Sequence, residues 1–543
     1  MKIVHIFTPA LRLVQYVPII PENLSSDSWT SPATRQIFVL RISFMRIVHD
    51  SQGKLGLENI ADIVIDPKSR DDIDKLLKGL QHVYITDDLR QRVFGILEEI
   101  LPDKANAQGK ASPNTGRPGM PQWNILVLGV LRLGLNSDYD RIQNLANQHK
   151  TIRHMLGHGD WDDETYYELQ TLKDNLRLFT PEVLERINQE VVAAGHALLK
   201  KRPEESQVLE ARCDSFVVET DVEYPVDTHL LFEAIRKAIE MAQDLSREHG
   251  LPGWRQGGHL LRLLKKCRTR LQRLKRSKAK DDAIKKAREA EIRKVCDEYL
   301  ELAGQLVARI KATRQLIAGL PAIPIQLAKL DGFVAHAERQ IDQARRRIIN
   351  GESIPHGEKV FSIFQPHTEW ISKGKAGVPV ELGLKVCIVE DQHQFILHHL
   401  VMEKTTDDQV AIQMIEQTQK RFPNLGSMSF DKGFHSPDNQ EKAKELIGEV
   451  VMPRKGRLSE KNKAIESDPE FIRRRHQHSA VESAINGLEA GGLDRCPDDG
   501  IEGFKRYVAL GVVARNLHRL GAVLKKLEEE KARRKRGPYK KAA

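Results

Sequence analysis

Cysteine is scarce in this chain. Five occur in 543 residues (Cys213, Cys267, Cys296, Cys387 and Cys496), scattered and without a CxxC pair. That spacing excludes a zinc ribbon and a disulfide framework and fits a reducing cytoplasm. Long apolar runs are also missing. The most extended, ILVLGVLRLGL from Ile125, is interrupted by Arg132 and reads as a buried helix, too short for a bilayer. The first residues lack a basic start, a compact apolar block and a small-residue cleavage site, so no export signal is read there. Nor is there an excess of acid. Lys and Arg number 85 against 75 Asp and Glu, a net charge of +10. Such a balance suits a polyanionic partner, although a membrane-surface or ribosome-bound protein can share it.

The length allows two or three domains, each with a core of its own. Residues 70–204 read as a helical N-terminal domain, with a Gly, Pro, Asn and Ser linker from Pro102 to Pro121. Its short helices suit either a helix-turn-helix-like unit for DNA ends or an ordinary packing domain. From 230 to 354 the pattern is helical and charged. Leu260, Leu264, Cys267, Leu271 and Leu274 form one heptad seam, and Ile292, Val295, Tyr299, Leu302 and Leu306 another. With SKAKDD as the turn between them, they predict an antiparallel helical hairpin. Its first arm carries ten basic residues and no acid between Arg262 and Lys280. Lys265, Lys266, Arg270 and Arg273 are candidates for DNA-backbone contacts, which position a duplex without reading its sequence. The alternative is a solvated charged face. Strand-like segments lie on both sides of this insertion, over 205–229 and 355–523, giving an α+β, mixed-sheet fold flanked by helices. The tail over 524–543 reads as disordered and basic.

Three carboxylates stand out by their surroundings. Asp214 sits within the strand-like QVLEARCDSFVVET, and Asp431 closes the apolar run LGSMSF before a glycine and a turn cluster. Glu482 lies on a helix predicted over 471–493, where Val481, Ala484, Ile485 and Leu488 form a core-facing stripe. Arg475, His478, Glu482 and Asn486 occupy the adjacent polar face, behind Arg473 and Arg474. Asp431 follows Asp214 by 217 residues and Glu482 follows Asp431 by 51. Carboxylates from two strands and a helix can converge on hard cations, which take oxygen ligands and leave positions for water and phosphate. Glu219, Asp221, Glu223 and Asp227 crowd the first acid. Asp214 is preferred because it lies inside the strand-like run, whereas Asp221 and Asp227 flank a Tyr-Pro turn.

Taken in order, DSFVVETDVEYPVDTHLL from Asp214, VFSIFQPHTEWISKGKAGVPVELGLKV from Val360, SFDKGF from Ser429, RRRHQHSAVESAINGLEAGGLDR from Arg473 and GVVARNLHRLG near Gly511 resemble one family. It is the DDE insertion-sequence transposases with an RNase H-like catalytic domain, in the ISNCY-type group. The resemblance covers roughly residues 70–525; the first 44 residues match nothing in it, and Met45 offers a second start. It implies that Asp214, Asp431 and Glu482 are the catalytic and metal-binding triad. Many related transposases carry an arginine four residues before the third acid and a lysine or arginine seven after it. Here those positions are His478 and Glu489, which leaves Arg475 and Arg495 as candidate phosphate contacts, with Arg473, Arg474 and His478 also expected to contact DNA.

The implied chemistry needs two Mg²⁺ ions, with Mn²⁺ as a substitute, to cut double-stranded DNA at element ends and join the freed 3′-hydroxyl to a target. Lys432, beside Asp431, is expected to offset phosphate charge. His435 and His476 read as DNA contacts or surface residues. Pairing of two ends implies a homodimer, and the expected setting is bacterial, cytoplasmic and nucleoid-associated, with no membrane. The same residues also suit a nuclease that cuts without joining, or a DNA-binding remnant that has lost its chemistry.

Overall fold

A computed structural model describes residues 59–66, 68–99, 119–159, 164–200, 208–276, 281–318, 324–372 and 379–536. The N-terminal 44 residues with Met45, most of the 102–121 linker, the hairpin turn at 277–280 and the tail beyond 536 lie outside them. Among the described residues, a 3₁₀ turn over Ile60–Asp62 leads into seven α-helices: α1 (Asp72–Ile85), α2 (Asp87–Leu97), α3 (Gln122–Gly134), α4 (Tyr139–Gln148), α5 (Lys150–Met155), α6 (Leu169–Leu176) and α7 (Pro181–Leu199). Strand β1 (Leu209–Thr220) follows, then α8 (Asp227–Glu248), α9 (Gly257–Arg276), α10 (Asp282–Ile317) and α11 (Pro324–Ala344). The chain returns through β2 (Glu369–Ser372), β3 (Val380–Asp391), β4 (Ile396–Met402), α12 (Asp407–Arg421), β5 (Leu425–Phe430), α13 (Pro437–Leu446) and β6 (Glu449–Val451). It closes with α14 (Glu460–Glu466), α15 (Pro469–His478), α16 (Val481–Leu488), β7 (Arg495–Cys496) and α17 (Gly500–Arg536). The fold is mixed α and β, mostly helical, with an open mixed sheet of seven strands.

β1 is the middle of the sheet. It runs antiparallel to β3, Ala211–Glu219 against Asp391–Gly383, and parallel to β5 along Leu209–Cys213. β7 takes the other end of β1, beside Glu219 and Thr220. Both β2 and β4 pair antiparallel with the outer edge of β3, and β6 extends the parallel side from β5. Because side chains alternate along a strand, Ala211 and Cys213 share one face with Met428 and Phe430. Arg212 and Asp214 share the other face with Ser429. Cys213 and Cys387 are both fully buried and pack as small apolar side chains.

The helical segment over 70–204 is not a domain with a core of its own. Leu76 and Leu80 of α1, Trp123 and Val127 of α3, Ile187 and Val191 of α7, the sheet residues and Val513 and Leu517 of α17 belong to one continuous apolar cluster. A polar lock adds direction: Asn516 Nδ2 donates to Asn188 Oδ1 (2.7 Å) and to the carbonyl of Ile396 (2.8 Å), joining α17, α7 and β4. α17 also crosses α1 at close range. A Cβ placed on Gly521 would stand 1.9 Å from the Lys75 carbonyl oxygen, and one on Gly79 would stand 2.3 Å from that of Leu517. Only glycine at both positions lets the two backbones meet.

Between β1 and β2 the chain builds a second core. Leu264 and Leu271 of α9 and Val295, Tyr299 and Leu306 of α10 are buried in it, with the other seam residues, Leu260, Cys267, Leu274, Ile292 and Leu302, partly buried against them. The insertion is larger than a hairpin, because α8 and α11 contribute Leu231, Ile235, Leu330 and Val334 to the same core. The tail is ordered to Arg536 as part of α17, in place of the disorder expected from 524 onward. Its charged residues find local partners. Lys525 Nζ donates to the Ser69 carbonyl at 2.5 Å, Lys78 pairs with Glu528, and Leu524 and Leu527 pack on the core.

Candidate active site

The helix expected over 471–493 is broken in two. α15 starts at Pro469, with Asp468 capping the Glu470 and Phe471 amides, and ends at His478. After a turn at Ser479 and Ala480, α16 begins at Val481 and buries Val481, Ala484 and Leu488 as its apolar stripe predicts. A wider turn over Glu489–Leu493 follows, with Gly492 at φ 112°. The break lets α15 lie over β5 and β6 while α16 packs against β1.

β5 ends at Phe430, and a 3₁₀ turn over Lys432–Phe434 carries the chain to Ser436, whose hydroxyl caps α13. Asp431 is the last extended residue before that turn. Since Cys213 pairs with Phe430, Asp431 falls beside Asp214 and faces the same side of the sheet. Asp214 is partly buried, while Asp431 and Glu482 are exposed. Burial pushes the Asp214 carboxyl up to about 6, and the negative charges of Asp431, Asp407 and Glu482 push the same way. The Ser215 amide, donating to Asp214 Oδ1 at 2.7 Å, opposes that rise. The other four candidates for the first acid are engaged elsewhere. Glu219 pairs with Arg495, Glu223 with His229 and Asp227 with Arg347, and Asp221 lies 3.8 Å from Arg495.

One acid of this site was not expected from the sequence. Asp407 opens α12 behind a capping box formed by Thr406 and Gln409. Its carboxylate accepts from Ser215 Oγ (2.7 Å) and from Lys385 Nζ (2.8 Å). It also fills the space over Gly433, where a Cβ would stand 3.1 Å from Oδ2. Lys455 Nζ donates to the Gly433 carbonyl at 2.7 Å. The turn that presents Asp431 is thus held from two sides. An acid in the first turn of a helix is ordinary, so nothing local in the sequence marks Asp407; only the register of β1 with β3 brings Ser215 and Lys385 to it.

The expected DNA contacts separate into groups. Lys432, next to Asp431 in the chain, and Arg475, on α15, are exposed. Arg473 is held by Glu470, and Arg474 spans Glu470 and Glu449 of β6, which fastens α15 to the sheet. Arg495 lies at the far end of β1 with Glu219, beside a cavity of about 850 Å³ that also exposes Arg177 and Asp498. It therefore stands away from the triad. His478 turns inward instead of toward a DNA partner. Its Nδ1 meets Ser429 Oγ at 3.0 Å, and burial lowers its pKa, with Asp431 and Glu482 acting against that fall. His435 is buried as well, contrary to a surface role, whereas His476 is exposed. On α9, Lys265, Lys266 and Arg273 are exposed, and Arg270 reaches Glu291 and Glu298 across the hairpin at 3.4 and 3.5 Å.

All three acids of the expected triad offer oxygen donors, the chemistry that Mg²⁺ or Mn²⁺ takes, and their mutual repulsion is what a cation relieves. Among the described residues, no three His, Cys, Asp or Glu side chains stand close enough to hold an ion as they are. The carboxylates share a field and have to close further to share a ligand. No helix of the described residues is long and apolar enough to cross a membrane. Compared with known proteins, the chain matches no family model, no curated protein and no solved structure.

Proposed function

We propose that this chain is a metal-dependent DNA strand-cleaving and strand-joining enzyme, a transposase of the three-acid kind, with an RNase H-like catalytic domain. The observation that carries the reading is the placing of Asp214 on β1 and Asp431 at the end of its parallel neighbour β5, with Glu482 on α16, which packs against β1. The sheet supports it. β4, β3 and β1 run antiparallel in succession, then β5 and β6 run parallel to β1. The first acid lies within the first strand, the second at the end of its parallel neighbour, and the third on a helix against the same face.

In this reading Asp214, Asp431 and Glu482 hold the divalent cations. A divalent cation held there would supply a more acidic water and a counter-charge for the leaving oxygen. Asp214, set deepest, has to be ionised to serve, and its neighbours make that costly without a cation. Asp407 takes the charge of Lys385 and keeps Ser215 turned so that its amide, not its hydroxyl, meets Asp214. Lys432 and Arg475, both exposed, would offset the charge of a phosphodiester at the acids. In cleavage, a water oxygen bonds to phosphorus as the bond to the 3′ oxygen breaks, and that oxygen leaves with a proton. In joining, the 3′-hydroxyl attacks a target phosphodiester, one P–O bond replacing another. The basic arm of α9 supplies backbone contacts to the duplex.

The test is cleavage of a labelled duplex carrying the element's own end, in Mg²⁺ or Mn²⁺, by wild type and by Asp431→Ala. Nicking at the end that requires metal and disappears in the variant supports the reading, and appearance of joined product separates a transposase from a nuclease. Binding by both proteins without cleavage would leave a DNA-binding remnant.

A further inference from the structure

Parts of two motifs that carry the resemblance supply no acid to the triad. The segment after β1 contains Tyr224 to Thr228, and the segment that leads into and includes β2 contains Val360, Phe361 and Trp370. They come together around one cavity of about 310 Å³. Its rings form a chain. Tyr224 meets Trp370 edge-on with centroids 5.6 Å apart, Trp370 lies 5.7 Å from Phe361, and Phe361 lies 5.3 Å from His356. Neither apolar core includes Tyr224, Phe361 or Trp370, and Tyr224 is 64 % exposed. Tyr224 faces water with Phe361 and Trp370 half-buried behind it, and an exposed ring at the head of such a connected group marks a contact surface.

Three cations share the rest of the wall with Pro225, Val226, Thr228, Ile348 and Val360. Lys275 from the basic arm of α9, Arg347 and Lys359 line the cavity, against one acid, Asp227, which Arg347 already neutralises at 3.0 Å. Aromatic faces within a positive groove are what unpaired nucleotides bind, because every base has a π-face to stack and a phosphate to offset. A paired base in a duplex cannot offer that face. The volume, near the lower end for small-ligand pockets, suits one nucleotide.

We propose that this cavity binds one unpaired nucleotide of the DNA substrate, its base against Tyr224 and Trp370 and its phosphate beside Lys275 and Lys359. The proposal rests on the preceding reading only in taking the partner to be nucleic acid. The cavity opens beyond Thr220, at the end of β1, about 20 Å from Asp214 at roughly 3.3 Å per strand residue. On a B-form strand that is about six nucleotide steps from the cleaved bond. The insertion, which supplies Lys275 and Arg347, and the sheet, which supplies Trp370, thereby grip the same strand.

Fluorescence anisotropy of the full chain with a labelled oligothymidine, and with a duplex of equal length, tests this. Tyr224→Ala and Lys359→Ala alter exposed side chains, so folding is expected to survive, and circular dichroism checks it. The expected result is a loss of roughly ten-fold or more in single-strand affinity for Tyr224→Ala, with duplex affinity unchanged. Intrinsic fluorescence should be quenched by oligothymidine in wild type and not in Trp370→Phe. Equal losses on both DNAs, or none on the single strand, overturn the proposal while leaving the triad reading standing. Failure of wild type to bind either DNA overturns both. An oligouridine bound more tightly than the thymidine strand would assign the cavity to RNA and overturn the DNA assignment.

Discussion

Cys213 on β1 pairs in parallel register with Phe430 on β5, and this apolar pair sets the polar face behind it. With both side chains buried in the core, the next residue on each strand has to face the opposite side. Those residues are Asp214 and Asp431. A shift of one residue in this register would send one carboxylate into the core, so the packing of a cysteine against a phenylalanine fixes where two acids meet.

Asp431→Asn and Glu482→Gln change exposed side chains and should leave the fold intact. Titration calorimetry with Mn²⁺ should show weaker binding in each. Cleavage should fall by more than the roughly 10- to 100-fold that removal of an outer partner of a metal ligand costs. Unchanged Mn²⁺ binding in both variants would remove these acids from the site.

Asp214 gives a pH signature. Its carboxyl is raised to about 6 from an ordinary value of 3.8. The protonated form is the one the fold favours, so this contribution to stability is full below about 3.8 and is lost as pH rises through about 6. Asp214→Asn should therefore unfold at higher temperature than wild type above pH 6 without divalent ions, by as much as about 3 kcal/mol. Added Mg²⁺ should narrow the gap by stabilising only wild type. A gap that does not change with pH would mean the charge at Asp214 is not strained.

Asp407→Asn removes one of the negative charges that raise the Asp214 carboxyl and leaves Lys385 without its partner. Both changes favour ionised Asp214. The acid limb of the cleavage profile should move to lower pH, even where the rate at high pH drops because the Asp431 turn is less well held. An unmoved limb would make Asp407 a fold residue only.

Reversal of charge on α9 separates duplex contact from a solvated face. Lys265→Glu with Lys266→Glu should weaken duplex binding and flatten its dependence on salt by about one unit of slope for each phosphate that is no longer neutralised. Arg270→Ala should do less, since Glu291 and Glu298 already engage that guanidinium. Identical salt slopes for wild type and the double variant would count against the basic arm.

Gly521→Ala places a methyl where the Lys75 carbonyl stands. The helices have to separate, at about 1–3 kcal/mol, and urea unfolding should show a lower midpoint with the slope retained.

The elements that carry the candidate acids were legible because strand ends and apolar stripes carry local marks. The LGSMSF run before Asp431 and the stripe through Val481, Ala484 and Leu488 both hold in the structure. The heptad seams were legible for the same reason, since periodicity survives burial. The break at Ser479 and Ala480 was not, because neither residue is a helix breaker and the turn is imposed by packing on two different strands. Nor was the shared core of the N-terminal helices, because the apolar residues of α17 fit any partner equally well until the fold selects one. Arg474 and Arg495 looked free for DNA because their acidic partners, Glu449 and Glu219, are distant in sequence.

α17 is about 55 Å long at 1.5 Å per residue, and every other described element precedes it in the chain. α1, α3, α7 and β4 all rest on it. During translation these surfaces wait, apolar and uncovered, until that helix leaves the ribosome. The insertion, with its separate core, can pack before then, whereas the N-terminal helices and the sheet bury their surfaces only once α17 has emerged. A nascent chain stalled before Gly500 is a client for chaperones.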